Sequence, residues 1–168
     1  MTKVANYLMA VLAVTALASC SIKQAEPQVE GHYTYEHSFN YDFQGNHFDV
    51  SETGTMAFYA DGSGLDSAQQ VYTVARLEGD TVVYVFDYVS PSSWSLDADT
   101  FFFAGIKESF RMVPDKEDEL SQQIVELVSG SIDYLYKFHL DTLTAEKLQW
   151  SFTYRDGHSD TWEFYRSK

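Results

Sequence analysis

Beyond residue 30, apolar and polar side chains alternate with a period of two. Tyr33, Tyr35, His37 and Phe39 share one side, and His32, Thr34, Glu36 and Ser38 the other. Ile132, Tyr134, Tyr136, Phe138 and Leu140 oppose Asp133, Lys137, His139 and Asp141, with Leu135 out of phase. Leu148, Trp150, Phe152 and Tyr154 oppose Lys147, Gln149, Ser151, Thr153 and Arg155; Trp162 and Phe164 oppose Thr161, Glu163 and Tyr165. Strands with one apolar side belong to an antiparallel sheet buried on one face and wetted on the other. Residues 55–60 and 69–77 alternate less cleanly. Residues 81–89 are apolar on both sides and predict the most enclosed strand. Phe101-Phe102-Phe103 leaves the face of residues 101–113 undetermined.

Turn chemistry punctuates these runs. Asp156-Gly157 separates two alternating segments and predicts a hairpin pairing 148–155 with 159–166. Gly45-Asn46, Asp61-Gly62 and Gly79-Asp80 fall between earlier strands. One segment departs from the pattern. Pro114 and the acidic run 115–119 suit a helix N-terminus, and Leu120, Ile124, Leu127 and Val128 follow at helical spacing up to Gly130. The expected fold is all-β: an antiparallel up-and-down barrel of about eight strands, closed to remove exposed edges, with one short helix near 115–129. A β-sandwich with the same strands is the alternative.

The first twenty residues form a separate unit. Lys3 supplies a basic start, residues 7–17 are apolar without a charge, and Leu17-Ala18-Ser19-Cys20 closes the run with small residues. This is the layout of a secretory signal, too short to span a bilayer as a stable helix. Cys20 is the only cysteine, so no internal disulfide can form. Residues 21–30 are polar and aperiodic, as a tether would be. The expected organisation is a signal over 1–19, a tether over 20–30 and a single domain over 31–168. With 25 acidic residues against 11 basic, the chain carries a net charge of −14, and losing Lys3 makes it one unit more negative. Such a charge argues against nucleic acid and against electrostatic adhesion to anionic lipid.

Leu17-Ala18-Ser19-Cys20 resembles the lipobox of bacterial lipoproteins, in which the cysteine is lipidated and the leader is cut before it. That resemblance implies membrane attachment through lipid on Cys20, and Ser21 after the cysteine implies the outer membrane of a Gram-negative cell. The side it faces stays open. Gly31-His32-Tyr33 and Arg166, with the strand-and-turn phrases 54–64 and 94–101, resemble lipocalin-like (calycin-type) lipoproteins of Gram-negative bacteria. In that family a Gly-x-Trp opens the first strand and a late arginine packs over the tryptophan. The resemblance implies that Gly31, Tyr33 and Arg166 close the barrel, with Tyr33 standing in place of the tryptophan.

Chemistry is sparse in this sequence. There is no Gly-x-Ser-x-Gly elbow, His-Glu-x-x-His pair, Cys-x-x-Cys or phosphate-cradling glycine loop. Asp61–Asp66 lacks the later glutamate of a calcium loop and reads as a turn. Asp97 with Asp99, and Asp156, His158 and Asp160, read as polar turns, and the acidic run 115–119 as a solvated helix start. His32, His139 and His158 fall on polar faces or turns. No catalytic residue, metal ligand or cofactor is expected, and an enzyme is disfavoured. His37 faces inward among aromatics, and inward phenols require hydrogen-bond partners that a cavity can provide. The first expectation is therefore a barrel holding a small hydrophobic ligand, lined by Tyr33, Tyr35, His37, Tyr84, Phe86, Tyr136, Phe138, Trp150 and Phe152. The second is a filled barrel that docks to an envelope protein or glycan through Trp94, placed in an exposed loop at 90–94.

Overall fold

A computed structural model of the 168-residue chain describes residues 28–77, 79–154 and 157–168. Cys20, the signal and most of the tether lie outside the described residues. The strands are β1 (Gly31–Phe43), β2 (Asn46–Phe58), β3 (Ser63–Ala75), β4 (Thr81–Asp97), β5 (Thr100–Gly105) and β6 (Arg111–Pro114). After helix α1 (Glu119–Ser131) come β7 (Tyr136–Leu143), β8 (Lys147–Thr153) and β9 (Ser159–Arg166). Each strand pairs antiparallel with its neighbours, and the pairings β3–β4 and β1–β9 complete a ring. Eight strands form the closed barrel. The ninth, β6, is an extra strand that pairs with β4 at Phe86–Val89. Closure rules out the sandwich.

Alternation drives this ring. Phe48, Val50, Met56 and Phe58 on β2, Tyr72 and Val74 on β3, and Tyr84 and Phe86 on β4 are all buried, while their sequence neighbours, Ala57 apart, face water or half-buried positions. The tips follow from backbone handedness. Gln44 and Gly45 both have positive φ (50° and 80°) in the two-residue link between β1 and β2, the conformation whose twist matches the flanking strands. Hairpin β8–β9 forms in the region foreseen, with Thr153 opposite Ser159 and Gly157 at φ 90°; Arg155 and Asp156 lie outside the described residues.

Three boundaries depart from the sequence pattern. Strand β7 starts at Tyr136, not Ile132, because α1 runs on to Ser131 and Ile132 caps it. Tyr134 and Leu135 are exposed there, and the turn is held by the Tyr134 amide on the Ser131 carbonyl at 3.2 Å. Pro114 ends β6 instead of opening the helix. The helix begins one turn later, where Asp118 accepts the Ser121 amide and the Ser121 hydroxyl accepts the Asp118 amide, a reciprocal cap. Trp94 lies in strand β4, not in a loop: its ring stacks on Phe101 at 5.7 Å and its Nε1 donates to the Ser63 carbonyl at 2.8 Å.

Two apolar clusters fill opposite ends of the barrel. One is built on Tyr33, Phe58, Phe101, Leu148, Trp150 and Phe164. The other, built on Phe48, Tyr72, Tyr84, Phe86 and Met112, receives Ile124 of α1. At the first end the Arg166 guanidinium lies 5.0 Å from the centre of the Tyr33 ring. It donates to the Tyr33 hydroxyl at 2.7 Å, the Glu30 carbonyl at 2.8 Å and the Gln28 carbonyl at 2.6 Å. Gly31 (φ 149°) lies beneath it, where a Cβ would come within 2.4 Å of the guanidinium. Together these contacts tie the start of β1 to the end of β9.

Candidate functional site

Between the two clusters the inward faces become polar. Glu52 of β2 and Asp66 of β3 are 3 % and 8 % exposed, with Gln70 of β3 and Ser90 and Ser92 of β4 also buried. The Tyr35 hydroxyl sits 2.6 Å from Glu52 Oε1, 2.8 Å from Asp66 Oδ1 and 3.0 Å from the Tyr88 hydroxyl. Tyr88 reaches Asp66 Oδ2 at 2.6 Å and also bonds Glu52 Oε1. Gln70 Nε2 donates to Glu52 Oε2 at 3.1 Å, and the Tyr72 hydroxyl donates to Gln70 Oε1 at 3.0 Å. Gly54 makes room for this: a Cβ there would lie 2.8 Å from the Tyr35 hydroxyl and 2.6 Å from Ala68 Cβ.

Proton bookkeeping defines the state of the cluster. Five short oxygen–oxygen contacts join two phenols and two carboxyls, but the phenols bring only two protons. A proton on Asp66 supplies a third. Burial, and then the charge of Glu52, push the Asp66 carboxyl up to about 7. Burial and the adjoining carboxylates push the Tyr35 and Tyr88 phenols far above their ordinary value, so both stay protonated. Among the described residues neither carboxylate forms an ion pair. No group of three His, Cys, Asp or Glu side chains there is placed to hold a metal ion.

The cluster borders open space. One cavity of about 440 Å³ is walled by Phe103, Phe138, Trp150, Phe152, Trp162 and Phe164 and reaches Asp160 and Tyr154 near the β8–β9 tip. A second, of about 470 Å³, lies under α1, against Leu127, Val128, Ser131 and Ile132, and is lined by Glu52, Gln70, Tyr72, Tyr88 and Ser90. Asp66, Phe103, Tyr136 and Trp162 border both, so they are adjoining lobes with a carboxyl at the junction. A larger hollow of about 900 Å³ lies over β9, β1, β2 and β3, lined mainly by Thr, Ser, Gln and Glu side chains, and it meets the carboxyl cluster at Tyr35 and Tyr88.

The chain matches no protein-family model and no curated protein.

The nine residues expected to line a ligand space divide between lobes and solid core. Tyr136, Phe138, Trp150 and Phe152 wall the first lobe. Tyr35 belongs to the carboxyl cluster. His37 stacks on Trp162 at 3.8 Å, and burial lowers its basicity. Tyr33 is taken up by Arg166. Tyr84 and Phe86 are packed in the second cluster, where the Tyr84 hydroxyl donates to Asp118 at 2.7 Å and accepts from Arg76 at 3.2 Å. Trp94 is half-buried against Phe58 and Phe101. The sequence reading missed Glu52, Asp66, Gln70, Tyr72 and Tyr88. The signal for Glu52 was present: it shares strand parity with Phe48, Val50, Met56 and Phe58, so it had to face inward.

Proposed function

We propose that this chain is a lipid-anchored, lipocalin-like envelope lipoprotein whose barrel holds a small, largely apolar ligand. The hollow aromatic-walled interior carries this reading. A packed core leaves few voids larger than a water molecule, whereas ligand sites are concave, mostly apolar spaces of about 300–1,000 Å³ with a few placed polar groups. The two lobes, of about 440 and 470 Å³, fit that description. Anchorage rests on Leu17-Ala18-Ser19-Cys20 and on its resemblance to a lipobox. Among the described residues no helix is long and apolar enough to cross a membrane.

Titration with Nile red, followed by its fluorescence and by energy transfer from Trp150 and Trp162, tests the binding function. Saturable binding at one site per chain, weakened by narrowing the first lobe with Phe138→Trp, is the expected outcome. A linear, non-saturating signal on the folded protein would remove this reading.

A further inference from the structure

Two carboxyl groups buried without a cation are a costly way to fill a barrel. An uncompensated charge in a poorly hydrated interior is strongly disfavoured, and replacing such groups with well-packed apolar residues is often neutral or stabilising. Glu52 and Asp66 nonetheless occupy the inward faces of β2 and β3, and both border the lobe beneath α1. Asp66 borders the aromatic lobe as well.

A second feature points to an occupant. Ser90, 2 % exposed on the inward face of β4, lines the lobe under α1 together with Glu52, Asp66 and Tyr88. Its hydroxyl has no hydrogen-bond partner within the protein. Trp150, 3 % exposed in the aromatic lobe, likewise has an unpartnered Nε1. Buried polar atoms are ordinarily satisfied, and each lobe is bordered by a residue whose polar atom the protein itself leaves unpaired.

We propose that the barrel takes a small amphipathic amine, its ammonium group seated at the Glu52–Asp66 junction and its apolar body in the aromatic lobe. This rests on the ligand-binding reading above and names the ligand's chemical class. An ammonium group supplies the missing cation and several N–H donors, for Asp66, Glu52 and the Ser90 hydroxyl. Aromatic faces attract cations, and Trp150, Trp162 and Phe138 wall the lobe in which Asp66 stands. Asp160 adds a carboxylate where that lobe reaches the β8–β9 tip, and the net charge of −14 draws cations toward the molecule. Calcium takes its oxygens from carboxylates, carbonyls and water, whereas here the two carboxyls are flanked by phenols that keep their protons, which favours an organic cation.

The groups facing Asp66 set the pH behaviour. They are Tyr35 from β1, Glu52 from β2 and Tyr88 from β4, with Gln70 beyond Glu52 on β3. Tyr136 and Trp162 share its lobes, His37 stacks behind Trp162, and Asp160 lies farther along. An arriving ammonium replaces the proton held on Asp66. Amine binding therefore releases a proton to buffer below about pH 7 and strengthens as pH rises through that value.

The experiment compares 2-phenylethylamine, 2-phenylethanol and 3-phenylpropionate, with Nile red as a neutral reference probe, on the full folded domain. The amine is expected to bind at least about tenfold more tightly than the alcohol, a difference of about 1.4 kcal/mol, and the carboxylate more weakly than either. Glu52→Gln and Asp66→Asn, near-isosteric changes checked for folding by near-ultraviolet circular dichroism, should erase the amine's advantage over the alcohol. If either variant fails to fold, the wild-type pH profile decides: amine affinity rising between pH 6 and 8 with a flat alcohol profile supports the proposal, and parallel flat profiles overturn it. Saturable Nile red binding without any preference for the amine overturns the amine proposal alone. Absence of binding by every probe overturns the ligand-binding reading along with it.

Discussion

At the scale of single residues, Asp66 is a carboxyl that the fold holds toward its protonated form. Its carboxyl is pushed up to about 7 in the folded chain, first by burial and then by the charge of Glu52, against about 3.9 in an unfolded chain. Between those values the folded state holds a proton that the unfolded state has released. Its stabilising contribution is complete below about pH 4 and is lost as pH rises through about 7. Thermal melts are expected to show Tm falling from pH 5 to pH 8, and Asp66→Asn should flatten that decline; an unchanged slope in the variant would contradict the assignment. Glu52 was legible as an inward carboxylate from strand parity alone. Asp66 was not, because its neighbours Asp61, Gly62 and Gly64 disguised the opening of β3 as part of a turn. Tyr88 lay in a stretch apolar on both sides, which gave no face to read.

Among the elements, α1 is the one that the sequence located but misplaced. Its apolar spacing was readable, whereas its start depended on which acidic residue became the cap. Asp115 is instead held against β4, its amide donating to the Val85 carbonyl at 2.7 Å and its carboxylate accepting the Val85 amide at 2.9 Å. Asp118 then caps the helix and also accepts from Tyr84. Since α1 roofs the second lobe, its stability bears on the cavity. Asp118→Ala is expected to cost about 1 kcal/mol, seen as a lowered denaturation midpoint, and to speed hydrogen exchange of the first-turn amides and release of bound Nile red. Exchange rates equal to wild type would show that β6 and the Ile124 contact hold the helix without the cap.

On the scale of the whole molecule, the eight-strand ring with β6 outside it turns one apolar face of most strands inward, and the aromatic lobe runs from Phe164 toward the β8–β9 tip, away from the Arg166–Tyr33 contact. On the proposed reading, attachment to a membrane rests on lipid at Cys20, which lies outside the described residues. Cys20→Ala is expected to move the protein from the membrane pellet to the soluble fraction, with its folded melt intact. A variant that still sediments with membranes would refute lipidation at that residue. Strands β1 and β9 pair at Tyr33–Tyr35 against Phe164–Arg166, and the Ser167 amide donates to the His32 carbonyl at 2.8 Å beside them. Above this pairing, His37 stacks on Trp162 across the seam.

The sequence by itself determined the strand character, the inward and outward faces of most strands, an all-β antiparallel fold and the existence of one helix, while closure into a barrel came from the tertiary pairing. These are local properties: period-two alternation, turn residues with positive φ and a short helical repeat depend only on neighbours along the chain. Tertiary structure alone decided where the barrel is hollow, which of the inward aromatics pack and which line a lobe, and that carboxyls from β2 and β3 meet phenols from β1 and β4. Those groups are separated by 17 to 53 positions in the chain, and only ring closure with its register brings them within hydrogen-bonding distance. Burial in that shared space, not the identity of Asp66, lifts its carboxyl toward neutrality.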